Sequence, residues 1–296
     1  RDSIHKNFVL LWIDSKKTMS KFDSIRPYYD SEVNEALKSL LNHPMMKAMM
    51  DFTFPEMEDE EWKSQLSRTH SIRDFQINFV YQSIQRVLER SSEGLSTSGF
   101  EKLDPNTSYL FISNHRDIIL DTSLLNVSLY DHKLIMTASA IGDNLVQKDF
   151  LLKLSKLNRN FLVQRGLSPR ELLQSSKLMS EYMYHLLSKE NRSVWIAQRE
   201  GRTKDGNDAT HQGVLKMVGM ANDEEKGMDF FKKLKIVPVS ISYEYDPTDA
   251  LKMPQLLALS KDEVYIKEKN EDFITLLSGI IGQKKRIHIH VGDVLD

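Results

Sequence analysis

The stretch Tyr109-Leu110-Phe111-Ile112-Ser113-Asn114-His115-Arg116-Asp117-Ile118-Ile119-Leu120-Asp121 decides how the chain is read. A short apolar run, Tyr109 to Ser113, breaks into polar residues and resumes with helical spacing over 117–130. A run of that length bounded by polar residues reads as a buried strand feeding a helix. The same unit recurs outward from it. Lys133–Thr137, Asn160–Gln164, Ser193–Gln198, Lys235–Tyr243 and Arg286–Val291 read as strands, with helices over 143–157, 168–188 and 211–221. The helix at 168 opens with Ser168, Pro169 and Glu171, a capping box with proline at the first helical position. Strand–helix alternation predicts an α/β fold with a mixed, largely parallel sheet flanked by helices. Ile287, Ile289 and Val291 alternate with His288 and His290, which predicts a half-exposed last strand.

Upstream the period is helical. Val33, Ala36, Leu37, Leu40 and Leu41 follow Asp30 and Ser31, which can cap, and Ile72, Phe75, Phe79, Val80, Ile84, Val87 and Leu88 form a second stripe. Residues 19–95 are therefore expected to form a helical N-terminal region and 100–296 an α/β domain. The Ser/Gly stretch Gly94 to Gly99 reads as the linker between them. Arg1 opens the chain, and residues 1–18 are expected to be an extension, with Met19 opening the more ordinary sequence. Met45, Met46, Met49 and Met50 read first as adaptable core packing and second as an acyl-chain or membrane-facing surface.

With 296 residues and 40% apolar composition, the chain can bury one large core. A formal charge of -2 gives no basic field for nucleic acid, so any anion site must be local. The absence of cysteine removes disulfides, thiolate metal sites and cysteine nucleophiles, and fits a reducing compartment. No window approaches the ~18 consecutive apolar residues of a membrane span, and Phe8 to Ile13 is too short for a signal-peptide core.

In open α/β sheets chemistry collects at the carboxyl ends of strands. Three strand ends here carry reactive residues. The first holds His115, whose imidazole can take a proton from an alcohol near neutral pH. A carboxylate about one turn onward can hold the ring by accepting its other N–H. The second is Phe161-Leu162-Val163-Gln164-Arg165-Gly166, a strand ending in a guanidinium suited to phosphate. The third is Trp195-Ile196-Ala197-Gln198-Arg199-Glu200-Gly201-Arg202-Thr203-Lys204, where Gly201 would let a ligand approach the backbone. Together they supply a base, an anion clamp and a polar loop, which suits a phosphorylated alcohol.

In order and spacing these blocks resemble the glycerol-3-phosphate and lysophosphatidate acyltransferase superfamily. That family carries His-x4-Asp after a strand, then a Phe-Ile-x-Arg-like block, then Glu-Gly-(Thr/Gly)-Arg, then a Val-Pro-Val strand. The chain has Asn114-His115, then Phe161 to Arg165, then Glu200-Gly201-Arg202-Thr203, then Ile236-Val237-Pro238-Val239, in that order. The resemblance covers residues 100–296, and residues 20–95 look like the N-terminal extension of a bacterial branch. Two departures stand out. His115 to Asp121 is one residue longer than the family spacing, with Asp117 closer, and no residue separates Gly201 from Arg202.

The resemblance implies an O-acyltransferase of phospholipid biosynthesis. His115 would deprotonate the acceptor hydroxyl for direct attack on the thioester, oriented by Asp121 or by Asp117. Asn114, Arg116, Arg165, Glu200, Gly201, Arg202 and Thr203 would bind substrate. Of these, Arg165 and Arg202 would converge on the acceptor phosphate, while Glu200 and Gly201 would shape its loop and Pro238 would fix the strand behind. The donor would be acyl-CoA or acyl-carrier protein, and the acceptor a glycerol phosphate or lysolipid, with neither cofactor nor metal. The protein would be cytoplasmic and peripheral at the inner face of the membrane, held through the N-terminal helices around Met45–Met50 or through Lys284–Arg286. The alternative is a lipid- or acyl-carrier-binding protein of the same fold without turnover. On a continuous helix, six residues are about 600° of rotation, so Asp121 can face His115 only if His115 precedes the helix.

Other motifs fail on their own terms. His115-Arg116-Asp117 imitates a kinase catalytic loop, but Thr122 stands where asparagine is needed and no Asp-Phe-Gly follows. Phosphate-loop, Gly-x-Ser-x-Gly, His-Glu-x-x-His and dinucleotide fingerprints are absent. Asp205-Gly206-Asn207-Asp208 lacks the glycine and terminal glutamate of a calcium loop and reads as a polar turn.

Overall fold

The computed structural model describes residues 20–222 and 228–295, so the expected extension at 1–18, with Phe8 to Ile13 and the Met19 opening, lies outside the described residues. Helices α1 (Asp30–Leu40), α2 (Pro44–Thr53), α3 (Asp59–Ser67), α4 (Ile72–Phe75) and α5 (Tyr81–Ser91) come first, α4 and α5 being joined through a π-helical turn, Gln76–Val80. The remaining elements are β1 (Gly94–Ser98), β2 (Leu110–Ser113), α6 (Leu120–Asp131), β3 (Thr137–Gly142), α7 (Asp149–Leu157), β4 (Asn160–Val163) and α8 (Pro169–Ser188), followed by β5 (Ser193–Ala197), α9 (Gln212–Val218), α10 (Asp229–Lys233), β6 (Ile236–Tyr243), α11 (Asp249–Ser260), α12 (Glu271–Ile281) and β7 (Arg286–Val291).

The seven strands form one sheet in the order β1-β7-β6-β2-β5-β3-β4. Strands β2 to β6 run parallel, β7 is antiparallel to β6, and β1 is parallel to β7. The sheet is thus mixed and largely parallel. Phe111, Trp195, Val237 and Ile289 pack with Leu120 and Leu124 of α6 and with Ile84 and Val87 of α5 on one face. Leu110, Ile112, Val194 and Phe161 pack with Met179, Met183 and Leu186 of α8 on the other. Central strands buried on both faces read as continuous apolar runs, which is why β2 and β5 stand out in the sequence. The Ser168–Glu171 capping box is present at the start of α8.

Three segments depart from expectation. Gly94 to Ser98 is a strand, not a linker: it pairs residue for residue with Arg286 to His290. Gly99 ends it with a φ of 85°, and a β-carbon there would collide with the Val291 carbonyl. Strand β3 begins at Thr137 rather than Lys133. The residues before it are used to close α6, with Lys133 at a φ of 61° and the Leu134 N–H bonded to the Leu129 carbonyl at 2.8 Å. Helices α11 and α12 fill 249–281, where no regular element was expected.

The N-terminal helices have a core of their own, in which Met46, Met50, Trp62, Leu66, Phe75 and Phe79 are buried together with Phe150 and Leu157 of α7. Met46 and Met50 are core, and Met45 and Met49 pack partly buried against it, which is the first of the two readings of that run. Lys284 is fully buried, its ammonium bonded to Ser91 Oγ at 2.8 Å and to the Ile280 and Gly282 carbonyls at 3.0 and 2.6 Å, so of the basic patch expected over Lys284–Arg286 only Lys285 and Arg286 reach the surface, where they pair with Glu93 and Glu244.

Candidate active site

Strands β2 to β6 present their carboxyl ends along one edge of the sheet, and every candidate residue follows one of those ends. Beyond Ser113 the chain stays irregular until α6 begins at Leu120, so His115 is not helical and the rotation argument against Asp121 falls away. The His115 Nδ1 lies 2.8 Å from Asp121 Oδ2. A carboxylate only accepts, so Nδ1 carries the proton and Nε2 is left as the basic nitrogen. The same Oδ2 accepts from the Arg116 and Asp117 backbone N–H groups at 2.6 and 3.0 Å, and Oδ1 accepts from the Tyr243 hydroxyl at 2.8 Å. Asp121 is 0% exposed and His115 15% exposed. Burial, then the neighbouring Asp121 charge, pushes the Tyr243 phenol far above its ordinary value, which keeps it a donor.

Asp117 does different work. Its Oδ1 accepts from the Ile119 and Leu120 N–H groups at 2.9 and 2.7 Å, capping the start of α6. Burial, then repulsion from Asp121, raises its pKa. The carboxylate is also covered by α12, where a β-carbon on Gly279 would collide with it.

The His115 loop is fastened at several points. Its N–H donates to Asp208 Oδ2 at 2.8 Å, and its carbonyl accepts from the N–H of the fully buried Thr203 at 2.9 Å. The ring meets Trp195 edge-on at 5.4 Å between centroids. Trp195 donates its Nε1–H to Ser113 Oγ at 2.9 Å. The Asn114 amide joins β2 to β6 through the Ile241 N–H and carbonyl, both at 2.8 Å. Arg116 Nη2 is 3.2 Å from Asp246 Oδ2, which also pairs with Lys252 of α11.

The two arginines make separate ion pairs. Arg165 follows the edge strand β4, and β3 separates it from β5. Its guanidinium pairs with Glu200, while Arg202 Nη2 approaches Asp272 Oδ1 of α12 at 3.9 Å, so the two pair with different carboxylates. Gly201, with a φ of 70°, supplies the turn between Glu200 and Arg202. The polar turn at 205–208 closes on itself through the Asn207 N–H to Asp205 Oδ1, 3.0 Å.

Sequence reasoning did not single out Tyr243, Asp246, Lys252 or Asp272. Tyr243 ends an expected strand on the chemical edge, a position that could have flagged it. The other three come from 246–272, which carried no motif.

Residues 95–242 match the family described as Acyltransferase. A comparison with curated protein sequences finds no match. Among solved structures, the crystal structure of the 1-acyl-sn-glycerophosphate (LPA) acyltransferase PlsC from Thermotoga maritima aligns with a TM-score of 0.42 at 11% identity, covering 89% of this chain and 85% of that chain.

Proposed function

The chain belongs to the acyltransferase family, and from that premise we propose that it moves a fatty acyl group from acyl-CoA or acyl-carrier protein to the hydroxyl of a glycerol-phosphate or lysolipid acceptor. The observation that carries this reading is the His115–Asp121 pair at the carboxyl edge of the sheet, with Nε2 as the basic nitrogen. In the proposed reaction Nε2 takes the acceptor hydroxyl proton as the oxygen attacks the thioester carbonyl. The tetrahedral oxyanion then collapses, the carbon–sulfur bond breaks, and the departing thiolate takes the proton back from the imidazolium. Asp121 balances the transient imidazolium charge, and its three further donors keep it aligned. Asp117 is assigned to capping α6 and not to orienting the base. Arg202 supplies positive charge for an acceptor phosphate, and Arg165 with Glu200 shapes the loop beside it.

On the same reading the protein works as a peripheral enzyme on the cytoplasmic face of a membrane. No helix among the described residues is long and apolar enough to cross a membrane, and Met253, Leu257, Val264 and Ile266 are exposed on the α11–α12 segment. Co-flotation with phospholipid vesicles tests this, and recovery of all the protein in the unbound fraction at low salt counts against it.

The test of the reaction is release of free thiol from acyl-CoA and from acyl-carrier protein across a panel of acceptors: glycerol 3-phosphate, lysophosphatidate, and monoacylglycerol as the phosphate-free counterpart. Thiol release that depends on a phosphorylated acceptor is expected. Hydrolysis without acceptor dependence, or no release at all, would refute the proposal.

A further inference from the structure

The polar turn Asp205-Gly206-Asn207-Asp208 is folded against the His115 loop. Asp208 Oδ2 accepts the His115 N–H at 2.8 Å, and the Thr203 N–H donates to the His115 carbonyl at 2.9 Å. Both backbone groups of His115 are therefore bonded to one short segment, Thr203 to Asp208. That segment is itself tied to the sheet. Gln198, the first residue beyond β5, donates its N–H to the Ser113 carbonyl at 2.8 Å and its Nε2–H to the Asp208 carbonyl. The Gln198 carbonyl accepts from the His211 N–H at 2.8 Å, on the far side of the turn. Inside the turn, Asp205 Oδ1 accepts from the Asn207 N–H at 3.0 Å and from Thr203 Oγ1 at 3.3 Å.

His115 depends on this frame because of where it lies. Strand β2 ends at Ser113 and α6 begins at Leu120, so neither a sheet ladder nor a helix supplies partners to the backbone at His115. Asp208 supplies one of them at a cost. Its Oδ1 is buried with no hydrogen-bond partner among the described residues. A buried oxygen left unpaired lowers stability, so the turn's own stability does not account for the carboxylate. What the side chain does provide is a charged acceptor for the His115 N–H, and such bonds are about twice as strong as neutral ones. The position of the ring follows from this. Asp121 fixes the rotation of the imidazole through Nδ1, but the ring is placed no better than the backbone that carries it. A misplacement of about 1 Å in a reacting group can lower a rate by ~10²-fold.

We infer that Asp208 is a positioning residue: together with the Thr203 N–H it clamps the His115 backbone, while Asp121 aligns the ring. The inference rests on the reaction proposed above, and it adds to that reaction a residue bonded to the backbone of the base. A merely structural role makes a different prediction. Loss of Asp208 would then lower the melting temperature and the yield of folded protein, and would leave kcat per folded molecule unchanged.

The test compares Asp208→Ala, Asp208→Leu and Asp208→Asn in the full chain. Alanine and leucine both remove the acceptor, leucine while keeping the shape of the side chain, so one serves if the other does not fold. Thiol release should show kcat lowered by roughly tenfold to a hundredfold in these two, the loss of one hydrogen bond to a charged group, with KM for donor and acceptor level. Asp208→Asn keeps a carbonyl oxygen for the His115 N–H and should hold kcat within about threefold of wild type, since a neutral acceptor retains much of the bond. A second readout needs no turnover. The His115 Nδ1 proton held by Asp121 should give a low-field proton resonance that is missing from His115→Ala. That resonance should broaden through faster exchange with water in Asp208→Ala and Asp208→Leu and stay sharp in Asp208→Asn. A wild-type kcat or a wild-type resonance in folded Asp208→Ala or Asp208→Leu overturns the inference, as do equal losses in all three variants. If wild type transfers acyl groups to no acceptor, the function proposed above fails, and the resonance alone decides whether Asp208 holds the loop.

Discussion

Asp121 accepts hydrogen bonds from the His115 ring, two backbone N–H groups and the Tyr243 hydroxyl. Along the same sheet edge, Arg202 has a buried Nη1 without a partner among the described residues, and Lys204 makes no ion pair there. The base side is satisfied from within the fold, while the anion side carries surplus charge. A general base must be held in one rotamer and one tautomer before the acceptor arrives, and a carboxylate fixed by four donors achieves that. An anion site needs positive potential more than fixed geometry; burial first, and then the charges of Arg202, Lys267 and Lys252, lower the Lys204 pKa to about 8.

The largest effect that would break this contrast is on the base side. Asp121→Asn should lower kcat by about 10² or more, because the amide no longer stabilises the imidazolium and can present an N–H to Nδ1. Steady-state thiol release checks it, and a loss of only a few fold would mean that the ring is held by something else. Tyr243→Phe removes one of the four donors and should lower kcat by roughly tenfold, the low end of what one hydrogen bond to a charged group contributes. A larger loss would make the hydroxyl part of the chemistry.

The anion side should show itself in pH. Burial, then the charges of Arg202, Lys267 and Lys252, pushes the Lys204 pKa down to about 8, with Asp272 opposing. The Lys204 charge is therefore present at pH 7 and lost as pH rises through about 8. KM for a phosphorylated acceptor should climb several-fold between about pH 7 and 9, and Lys204→Arg should flatten that climb. The smallest effect belongs to Asp117→Asn. The amide can still cap α6 while relieving the Asp117–Asp121 repulsion, so kcat should stay within about twofold and the melting temperature should not fall. Asp117→Ala, which removes the cap, should cost about 0.5–2 kcal/mol of stability by chemical denaturation. A kcat loss for Asp117→Asn that matched Asp121→Asn would merge the two carboxylates into one function.

How much of this was legible in the chain follows from the range over which each feature is decided. Strands β2, β5 and β7 are written locally, in apolar runs or strict alternation, and were placed to within a residue. Strand β1 was not, because Gly94-Leu95-Ser96-Thr97-Ser98 has linker composition and becomes a strand only by pairing with residues 286–290. Helices α11 and α12 were missed because the usual pattern is reversed: Lys252 and Thr275 are buried while Met253, Leu257 and Ile274 are exposed. His115 and Asp121 stand six positions apart and could be paired on paper, but choosing between Asp117 and Asp121 required knowing that the helix starts at Leu120. Lys252 and Asp246 meet the Arg116 loop from about 130 residues away, across a separation that no motif spans.

The measurement closest to the central claim is kcat for His115→Ala on the best acceptor in the panel. Thiol release should be followed alongside thermal melting and inorganic phosphate binding on the same preparation. The account predicts a kcat loss of about 10² or more, the contribution of a positioned general base, with melting and phosphate binding unchanged. Near-wild-type turnover by a folded, phosphate-binding His115→Ala protein would contradict it.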